Sequence, residues 1–460
     1  MLSQFGALTL AQETQFGELP LEVVALILLC LPVDARLRAR EVSRGVRTLL
    51  NEPRFWLALD FSPGSGVEAR LTRALLFAAG ERGRGHLHTL DLTGVRNLFN
   101  EDLAQFVAVH GQSLRSVTVL EWLMISADSV TRLCRSAPLC TLRCGVYCSG
   151  PAEALPLLRC EAPCAQLHVV KLWVSGFYNN EHAVLDLAAA LPSHSGKIKV
   201  LTVREAPLGN GVVAAALIRS IAEARVSNVT FDYCHIAPAS LSGLTWLLED
   251  GCLERLHINN RHALFEEGPD LTAFCHALRG STLQKLELES CGMWQDPAAA
   301  GELLASLVGH PTLQELSLHY ERVGDTDDAR RTAGEQLASL ITHNSALQKL
   351  TLCGSNLGEA GSNLGEAGLL PIFEALRRSS TLKELLYRMS YAAEDGGGYD
   401  YDVDIERDFA RDVILPALRA NTSLQTLSFG HYDVPLPELV EAQAIVAART
   451  QPGAATVAAA

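Results

Sequence analysis

The sequence is short of basic residues and of long apolar runs. It has 38 Lys and Arg against 52 Asp and Glu in 460 residues, which gives a formal net charge of −14 at pH 7. A general nucleic-acid binder needs clustered Lys and Arg for phosphate contacts, so we expect no nucleic-acid partner and an acidic interaction surface. The longest apolar run near the start, residues 23–31, has nine residues, whereas a membrane span needs about 20. We therefore expect no membrane partner.

Motifs of the common enzyme classes are also missing. The sequence has no GxxxxGK[ST] phosphate loop, no GxSxG nucleophile elbow and no HExxH zinc motif. Its histidines are scattered along the chain, as surface and packing residues are. We predict that the protein is not an enzyme, has no catalytic residues and uses no cofactor.

A secretory signal is missing as well. The first 15 residues contain no Lys or Arg and no cleavage-site pattern. We therefore expect a cytoplasmic or nuclear chain whose 12 cysteines stay mostly thiols. Six cysteines cluster and raise the alternative of a zinc site: Cys134, Cys140, Cys144, Cys148, Cys160 and Cys164. Structural zinc sites favour closely paired ligands on tight knuckles, and these spacings fit no strong pattern, so we expect core and turn thiols and no metal.

What the sequence does contain is a recurring apolar pattern. Residues 347–361, LQKLTLCGSNLGEAG, show it most fully. Leu347, Leu350 and Leu352 occupy positions one, four and six of a short strand with one buried face. Leu357 turns inward again, and Gly358 lets the chain turn tightly into a helix. This spacing is typical of a leucine-rich repeat.

The same opening occurs twelve times. Clear copies begin at Leu87, Leu253, Leu283, Leu313, Leu347, Leu382 and Leu424, and weaker copies begin at Leu114, Leu139, Leu167, Ile198 and Val226. Successive openings lie 25 to 42 residues apart, which suits a strand plus a full helix. We predict an α/β leucine-rich-repeat solenoid over residues 87–436, a horseshoe with parallel strands inside and helices outside. A capping helix and a disordered tail should follow at 437–460.

Two long intervals have visible causes. The seven residues SNLGEAG at 355–361 occur again at 362–368, which lengthens one turn. An acidic insert at 394–408, EDGGGYDYDVDIERD, cannot bury a core because of its glycines and acids. We expect this insert to loop outward.

Side chains at positions three, five and seven of each strand point away from the buried leucines and should line the concave surface. Positions five and seven in the middle of the array hold Lys171, Trp173, Arg204, Asp232, His257, Glu287, Glu289 and His319. Aromatic and Arg residues dominate interface hot spots, so we predict that this set contacts a substrate protein. The alternative is a solvated strand face.

Ahead of the repeats the sequence changes character. Residues 19–56 read LPLEVVALILLCLPVDARLRAREVSRGVRTLLNEPRFW, in which two prolines bracket a helix-length apolar segment. This stretch resembles the F-box family, whose pattern opens with Leu-Pro-x-Glu-Val, continues with Ile-Leu-x-x-Leu-Pro and closes on Val-x-Arg and a final Trp. The matching residues are Leu19, Pro20, Glu22, Val23, Ile27, Leu28, Leu31, Pro32, Asp34, Val42, Ser43, Arg44, Arg47, Pro53 and Trp56. Ala35, Gly45 and Val46 depart from the family pattern.

The resemblance implies a small all-α domain, which we place at residues 17–60, after a flexible tail at 1–16 and before a linker helix at 61–86. F-box domains dock Skp-type adaptors of cullin-RING ubiquitin ligases. The resemblance therefore implies adaptor contacts at Leu19, Pro20, Val23, Ile27, Leu31, Pro32 and Trp56. The repeats would then hold the protein to be ubiquitinated. A Leu-rich helical cap in front of a repeat array is the simpler alternative.

Two other functions remain open. One is a repeat scaffold of the ribonuclease-inhibitor kind, whose LGEAG-like turns these resemble, with one partner and no link to ubiquitin. The other is a GTPase-activating repeat protein similar to those that act on Ran. That activity needs a catalytic Arg in an early repeat loop, and Arg96 is the candidate.

Overall fold

A computed structural model describes most of the chain. The described residues are 19–62, 72–93, 95, 98–159, 166–177, 179–260, 262–319, 321, 323–324, 326–355, 364–390, 407–429 and 436–450. The tail at 1–16, residues 394–406 of the acidic insert, Arg96, Cys160, Cys164, Leu357, Gly358 and the last ten residues lie outside these ranges. The chain divides into two compact units, one from residues 1–148 and 159–172 and the other from 149–158 and 173–460.

The first unit begins with helices and continues with strands and helices in alternation. Its helices are α1 (Leu21–Leu29), α2 (Val33–Ala39), α3 (Arg44–Leu49), α4 (Arg73–Arg82), α5 (Asn100–His110) and α6 (Ala127–Ser136), with 3₁₀ turns at Pro53–Trp56 and Gly111–Ser113. Its strands are β1 (Ala58–Asp60), β2 (Thr89–Asp91), β3 (Ser116–Ser126), β4 (Thr141–Cys148) and most of β5 (Gln166–Val174). The strands are neighbours in sequence order, and the pairs from β1 to β4 are parallel.

The second unit repeats the alternation. Its strands are β6 (Val200–Arg204), β7 (Asn228–Cys234), β8 (Arg255–Asn260), β9 (Lys285–Glu289), β10 (Glu315–His319), β11 (Lys349–Ser355), β12 (Glu384–Ser390) and β13 (Thr426–Phe429), all parallel and in sequence order. Its helices are α7 (Pro151–Leu158), α8 (Glu181–Ala190), α9 (Gly211–Glu223), α10 (Leu241–Glu249), α11 (Pro269–Gly280), α12 (Pro297–Leu307), α13 (Asp327–His343), α14 (Gly365–Leu376), α15 (Arg407–Phe409), α16 (Leu415–Ala420) and α17 (Pro437–Ala447). Shorter helical turns lie at Leu191–His194, Pro238–Ser240, Met293–Gln295 and Ala410–Ile414.

Every repeat opening read from the sequence lies at a strand. In eleven of the twelve, the strand begins two residues after the opening residue, and β5 begins one residue before it. Position-four leucines are buried and stand side by side, as Leu286, Leu316 and Leu350 do in the register of β9, β10 and β11. The mixed α/β architecture with its parallel strands confirms the predicted fold class. The sequence reading missed β1, which has three residues and a single buried side chain, Leu59.

Residues 364–368 of the second SNLGEAG copy lie in the described structure. Leu364 of this copy is 5% exposed, and Gly365 opens α14 with a φ of 54°. That φ lies in the left-handed region, where glycine has no Cβ clash. The second copy therefore supplies the inward leucine and the tight turn that we expected from Leu357 and Gly358.

Two buried polar side chains, Asn260 at the end of β8 and Glu321 after β10, bond to the turn of the preceding repeat. The Oδ1 of Asn260 accepts a hydrogen bond from the backbone N–H of Ile236 at 2.9 Å, and its amide donates to the Ile236 carbonyl at 3.0 Å. Glu321 accepts from the backbone N–H groups of Cys291 and Met293, each at 2.7 Å. These bonds satisfy turn groups that would otherwise be buried without partners.

A second set of buried polar residues lies three positions before the repeat openings. Asn344 accepts hydrogen bonds from the backbone N–H groups of Ala346 and Leu347, both at 2.8 Å, and donates to the Leu307 carbonyl at 2.8 Å. Asn421 and His310 make the corresponding bonds in their own repeats. These three turns from helix to strand are thereby tied to the helix of the preceding repeat.

Helices α13 and α14 pack so closely that glycine is required at their contact. A Cβ on Gly334 would overlap the backbone carbonyl of Gly368, and a Cβ on Gly368 would lie 2.7 Å from the Arg330 carbonyl oxygen. Backbone atoms cannot rotate away as a side chain can. The two helices can therefore approach this closely only because Gly334 and Gly368 have no side chain.

Replacing Gly334 by Ala should destabilise the protein by about 2 kcal/mol, because the added methyl group forces α13 and α14 apart. Gly280→Ala is the matched control, since no atom lies within 4 Å of a Cβ at that helical position. Urea unfolding of both variants checks this. Equal midpoints for the two variants would contradict the packing account.

Glu321 should make stability depend on pH. Burial raises the pKa of Glu321 to about 7, against the pull of the Met293, Cys291 and Gly292 N–H groups, from an ordinary value of 4.5. The folded state then holds the proton more tightly than the unfolded state does. Stability contributed by protonated Glu321 is present below pH 4.5 and is lost as pH rises to about 7.

The test compares the wild type with Glu321→Gln, which has no carboxyl group to titrate at this position. The free energy of unfolding of the wild type, measured relative to that of the variant, should fall by up to about 3 kcal/mol between pH 4.5 and 7. Urea unfolding at both pH values gives the two differences. A difference that stays constant with pH would contradict the raised pKa.

Candidate protein-docking surfaces

Helix α1 is apolar on its solvent side as well as on its buried side. Its interior contacts come from Val24, Ala25 and Leu28. On the opposite side Val23 is 38% exposed and Leu26 is 62% exposed. A surface helix normally carries charged or polar residues there. Neighbouring apolar side chains that face water are typical of a protein interaction site.

The structure places most of the predicted adaptor contacts at or near this surface. Leu19, Pro20 and Val23 are exposed, and Ile27, Leu31 and Pro32 are half-buried. Leu26 was missed by the sequence reading. The helical period could have identified Leu26, because it places this residue on the side of α1 opposite Val24 and Leu28.

Trp56 takes a different position from the other predicted contacts, because its side chain is fully buried. Its indole N–H donates to the Leu50 carbonyl at 2.7 Å, and the guanidinium of Arg36 lies 5.7 Å from its ring centre. Arg36 also donates to the carbonyls of Leu31 and Phe55. Burial lowers the pKa of Arg36, opposed by the carboxylate of Asp60. Trp56 and Arg36 therefore hold the helices together from inside.

A polar face runs along β6 to β10, on the side of the strands away from the buried leucines. In β9 the side chains of Lys285, Glu287 and Glu289 are half-buried and alternate with buried Leu286 and Leu288. This alternation follows from the two-residue period of a strand. Residues at the same repeat position on neighbouring strands are therefore brought side by side.

Four of the predicted substrate contacts meet on this face. His257 Nε2 of β8 lies 3.4 Å from Glu289 Oε2 of β9, and His319 Nε2 of β10 lies 3.6 Å from Glu287 Oε1. Lys285 Nζ lies 3.2 Å from Glu287 Oε2 and 3.6 Å from Glu315 Oε2. Lys285 and Glu315 were missed, although position three of the repeat was the available signal.

The charges on this face perturb two of its titrating groups. Burial raises the pKa of Glu287, but His257 and Lys285 outweigh it and hold that pKa below its ordinary value. Burial lowers the pKa of His319 below its ordinary value, against the pull of Glu287 and Glu289. Glu287 is therefore ionised and His319 is neutral at pH 7.

Arg204 and Asp232 form a second group on the same face. Arg204 Nε lies 3.2 Å from Asp232 Oδ2, and its guanidinium lies 5.2 Å from the ring centre of Tyr233. Asn259 donates to Asp232 Oδ1 at 3.0 Å. Of the remaining predicted residues, Trp173 is half-buried in the second unit, whereas Lys171 is half-buried in the first.

Cys134, Cys144 and Cys148 of the predicted cluster are buried, and Cys140 is exposed. Within the described ranges no group of three or more His, Cys, Asp or Glu side chains could hold a metal ion. None of the helices in the described part of the chain is long and apolar enough to cross a membrane.

Comparison with known proteins supports the sequence reading at the N-terminus. Residues 16–58 match the model of the F-box domain. No curated protein matches the chain in sequence. Among solved structures, the chain is similar to the leucine-rich repeat-containing protein LegL7 from Legionella pneumophila, with 16% identity and a TM-score of 0.27 over 70% of this chain and 89% of that one. At that score the likeness carries no argument.

The F-box match identifies a domain at one end of the chain. The match covers α1, α2, α3 and the turn that contains Trp56. The twelve strands from β2 to β13 each carry the repeat opening. The protein has an F-box domain at residues 16–58, followed by leucine-rich repeats.

Proposed function

We propose that this protein is the substrate-recognition subunit of an SCF-type cullin-RING ubiquitin ligase. The observation that carries the proposal is the F-box match at residues 16–58, within which α1 exposes an apolar side. Docking a Skp-type adaptor there would cover side chains that otherwise face water.

The adaptor contacts follow from exposure. Leu19, Pro20, Val23 and Leu26 would contact the adaptor directly, with Ile27, Leu31 and Pro32 at the margin of the interface. Trp56 would act from the interior, since its indole and Arg36 hold the chain around α2 and α3.

The repeats would hold the substrate protein on the polar face of β6 to β10 in the second unit. Trp173 in the second unit and Lys171 in the first are proposed as further contacts. Holding the substrate next to a conjugating enzyme recruited by the cullin raises the rate through proximity. In this proposal the chain does no bond chemistry itself and needs no cofactor. The ligase would work in the cytoplasm or the nucleus, without a nucleic acid or a membrane as partner.

Placing charge on α1 should abolish adaptor binding. The Val23→Asp, Leu26→Asp double variant puts two carboxylates where the apolar interface would form, and neither side chain belongs to the core. We expect affinity for a purified Skp-type adaptor to fall at least about tenfold, or about 1.4 kcal/mol. Isothermal titration calorimetry on the full chain measures it.

The matched control is Val212→Asp with Leu185→Asp, on helices α9 and α8, where the side chains are 76% and 36% exposed. This variant adds the same charge far along the sequence and should bind the adaptor as the wild type does. An α1 variant that binds with wild-type affinity, or a wild type that does not bind at all, would contradict the proposed function.

A further inference from the structure

Four buried side chains just before repeat openings make a hydrogen bond to a carbonyl of the helix in the preceding repeat. The four contacts are His194 to Leu158, His310 to Leu278, Asn344 to Leu307 and Asn421 to Leu376. His110 occupies the corresponding place in the first unit, at the end of α5 and four residues before the opening at Leu114. Its side chain is fully buried.

His110 does not make the bond that its four counterparts make. Both of its ring nitrogens are shielded from water and form no hydrogen bond with the part of the chain that the structure describes. Glu81 Oε1 of α4 lies 3.8 Å from Nε2, which is too far for a hydrogen bond. The rings of Phe77 and Phe106 surround the imidazole, with ring centres 5.9 and 5.0 Å away. At His110, packing therefore holds α4 against α5 in place of a hydrogen bond.

The packing around His110 is too close for the ring to reach a new partner while the two helices stay together. A Cβ on Gly80 of α4 would overlap the Phe106 ring and would lie 2.8 Å from the His110 ring. A proton added to this ring would create a charge that neither water nor a carbonyl solvates, and such a charge is unfavourable in a buried site.

Two charged groups act on the ring besides its burial. Burial lowers the pKa of His110 below its ordinary value of 6.5, Glu81 opposes that effect, and Arg84 adds to it. The other charged or titrating side chains of α4, α5, α6 and the loop after α4 are paired or exposed: Arg73 with Asp102, Asp128 with Arg132, and the exposed Arg82, His86, Glu101 and Arg135. Glu81 is therefore the carboxylate available to a charged His110.

We propose that the contact between α4 and α5 is a proton-sensitive joint, in which a proton taken up from water by His110 turns the ring toward Glu81 and separates the two helices. Glu81 is 55% exposed, so a charged ring that reaches it also reaches water. The inference does not depend on the proposed ligase function.

Helix α4 connects this joint to the F-box domain. Gly83, directly after α4, lies so close to the turn that ends the F-box domain that a Cβ there would be 2.9 Å from the Trp56 carbonyl oxygen. Helix α5 belongs to the first repeat, between β2 and β3. Opening the joint therefore loosens the connection between the F-box domain and the first repeat as the pH falls.

Hydrogen exchange of the full chain at pH 7.5 and 5.5 tests the joint, with rates expressed as protection factors to remove the intrinsic pH dependence of exchange. In the open form His110 has its ordinary pKa of 6.5, so opening should become up to about tenfold more favourable between these two pH values. Protection of residues 100–110 should fall by about fivefold to tenfold. Residues 415–420, next to Asn421, which does not titrate, should keep their protection within about twofold.

Two variants complete the test. His110→Leu has no ring nitrogen to protonate, so residues 100–110 should be equally protected at both pH values. Glu81→Gln, at an exposed position, removes the carboxylate that favours the charged ring, so its loss of protection should be at least as large as that of the wild type.

Protection of residues 100–110 that does not change with pH in the wild type would overturn the proposal. An equal fall in His110→Leu would overturn it as well, and so would a smaller fall in Glu81→Gln. If His110→Leu does not fold, the wild type and Glu81→Gln decide the test by the same criteria, because residues 415–420 supply the control within each chain.

Discussion

The structure depends on the register of its parallel strands. Backbone hydrogen bonding between β9, β10 and β11 places Leu286, Leu316 and Leu350 in one row, so that buried leucines form a continuous apolar layer under the strands. A slip of one residue would turn every leucine to the polar side. The same register aligns the polar positions of neighbouring strands, as it does Glu287 with Ser317 and Glu289 with His319.

The fold could be predicted from the sequence because the spacing of apolar residues repeats within each strand. The pattern of apolar residues at positions one, four and six is contained within each strand, so the sequence alone located the twelve strands from β2 to β13. The hydrogen bonds between neighbouring repeats could not be predicted in this way. Asn260 and Glu321 bond to turns 24 and 30 residues earlier, and nothing in their own neighbourhood marks these partners.

In the candidate sites too, the sequence predicted the positions of side chains but not the contacts between them. Repeat positions five and seven located His257, Glu287, Glu289 and His319. The contacts between their side chains join neighbouring strands, so they appear only with the register. The F-box pattern located Trp56 but not its burial, nor its contact with Arg36, which lies 20 residues earlier in the chain. The exposure of Leu26 follows from how α1 packs.

The α1 surface and the polar strand face should bind their partners through different interactions. The α1 surface is apolar and should bind by removing its side chains from water, whereas the polar face of β6 to β10 is charged and should select its partner by complementarity. The most direct test of the central claim is hydrogen exchange of the full chain with and without a bound Skp-type adaptor. The account predicts protection at residues 19–32, with exchange in β6 to β10 unchanged. A bound adaptor that protects other residues and leaves 19–32 unprotected would contradict it.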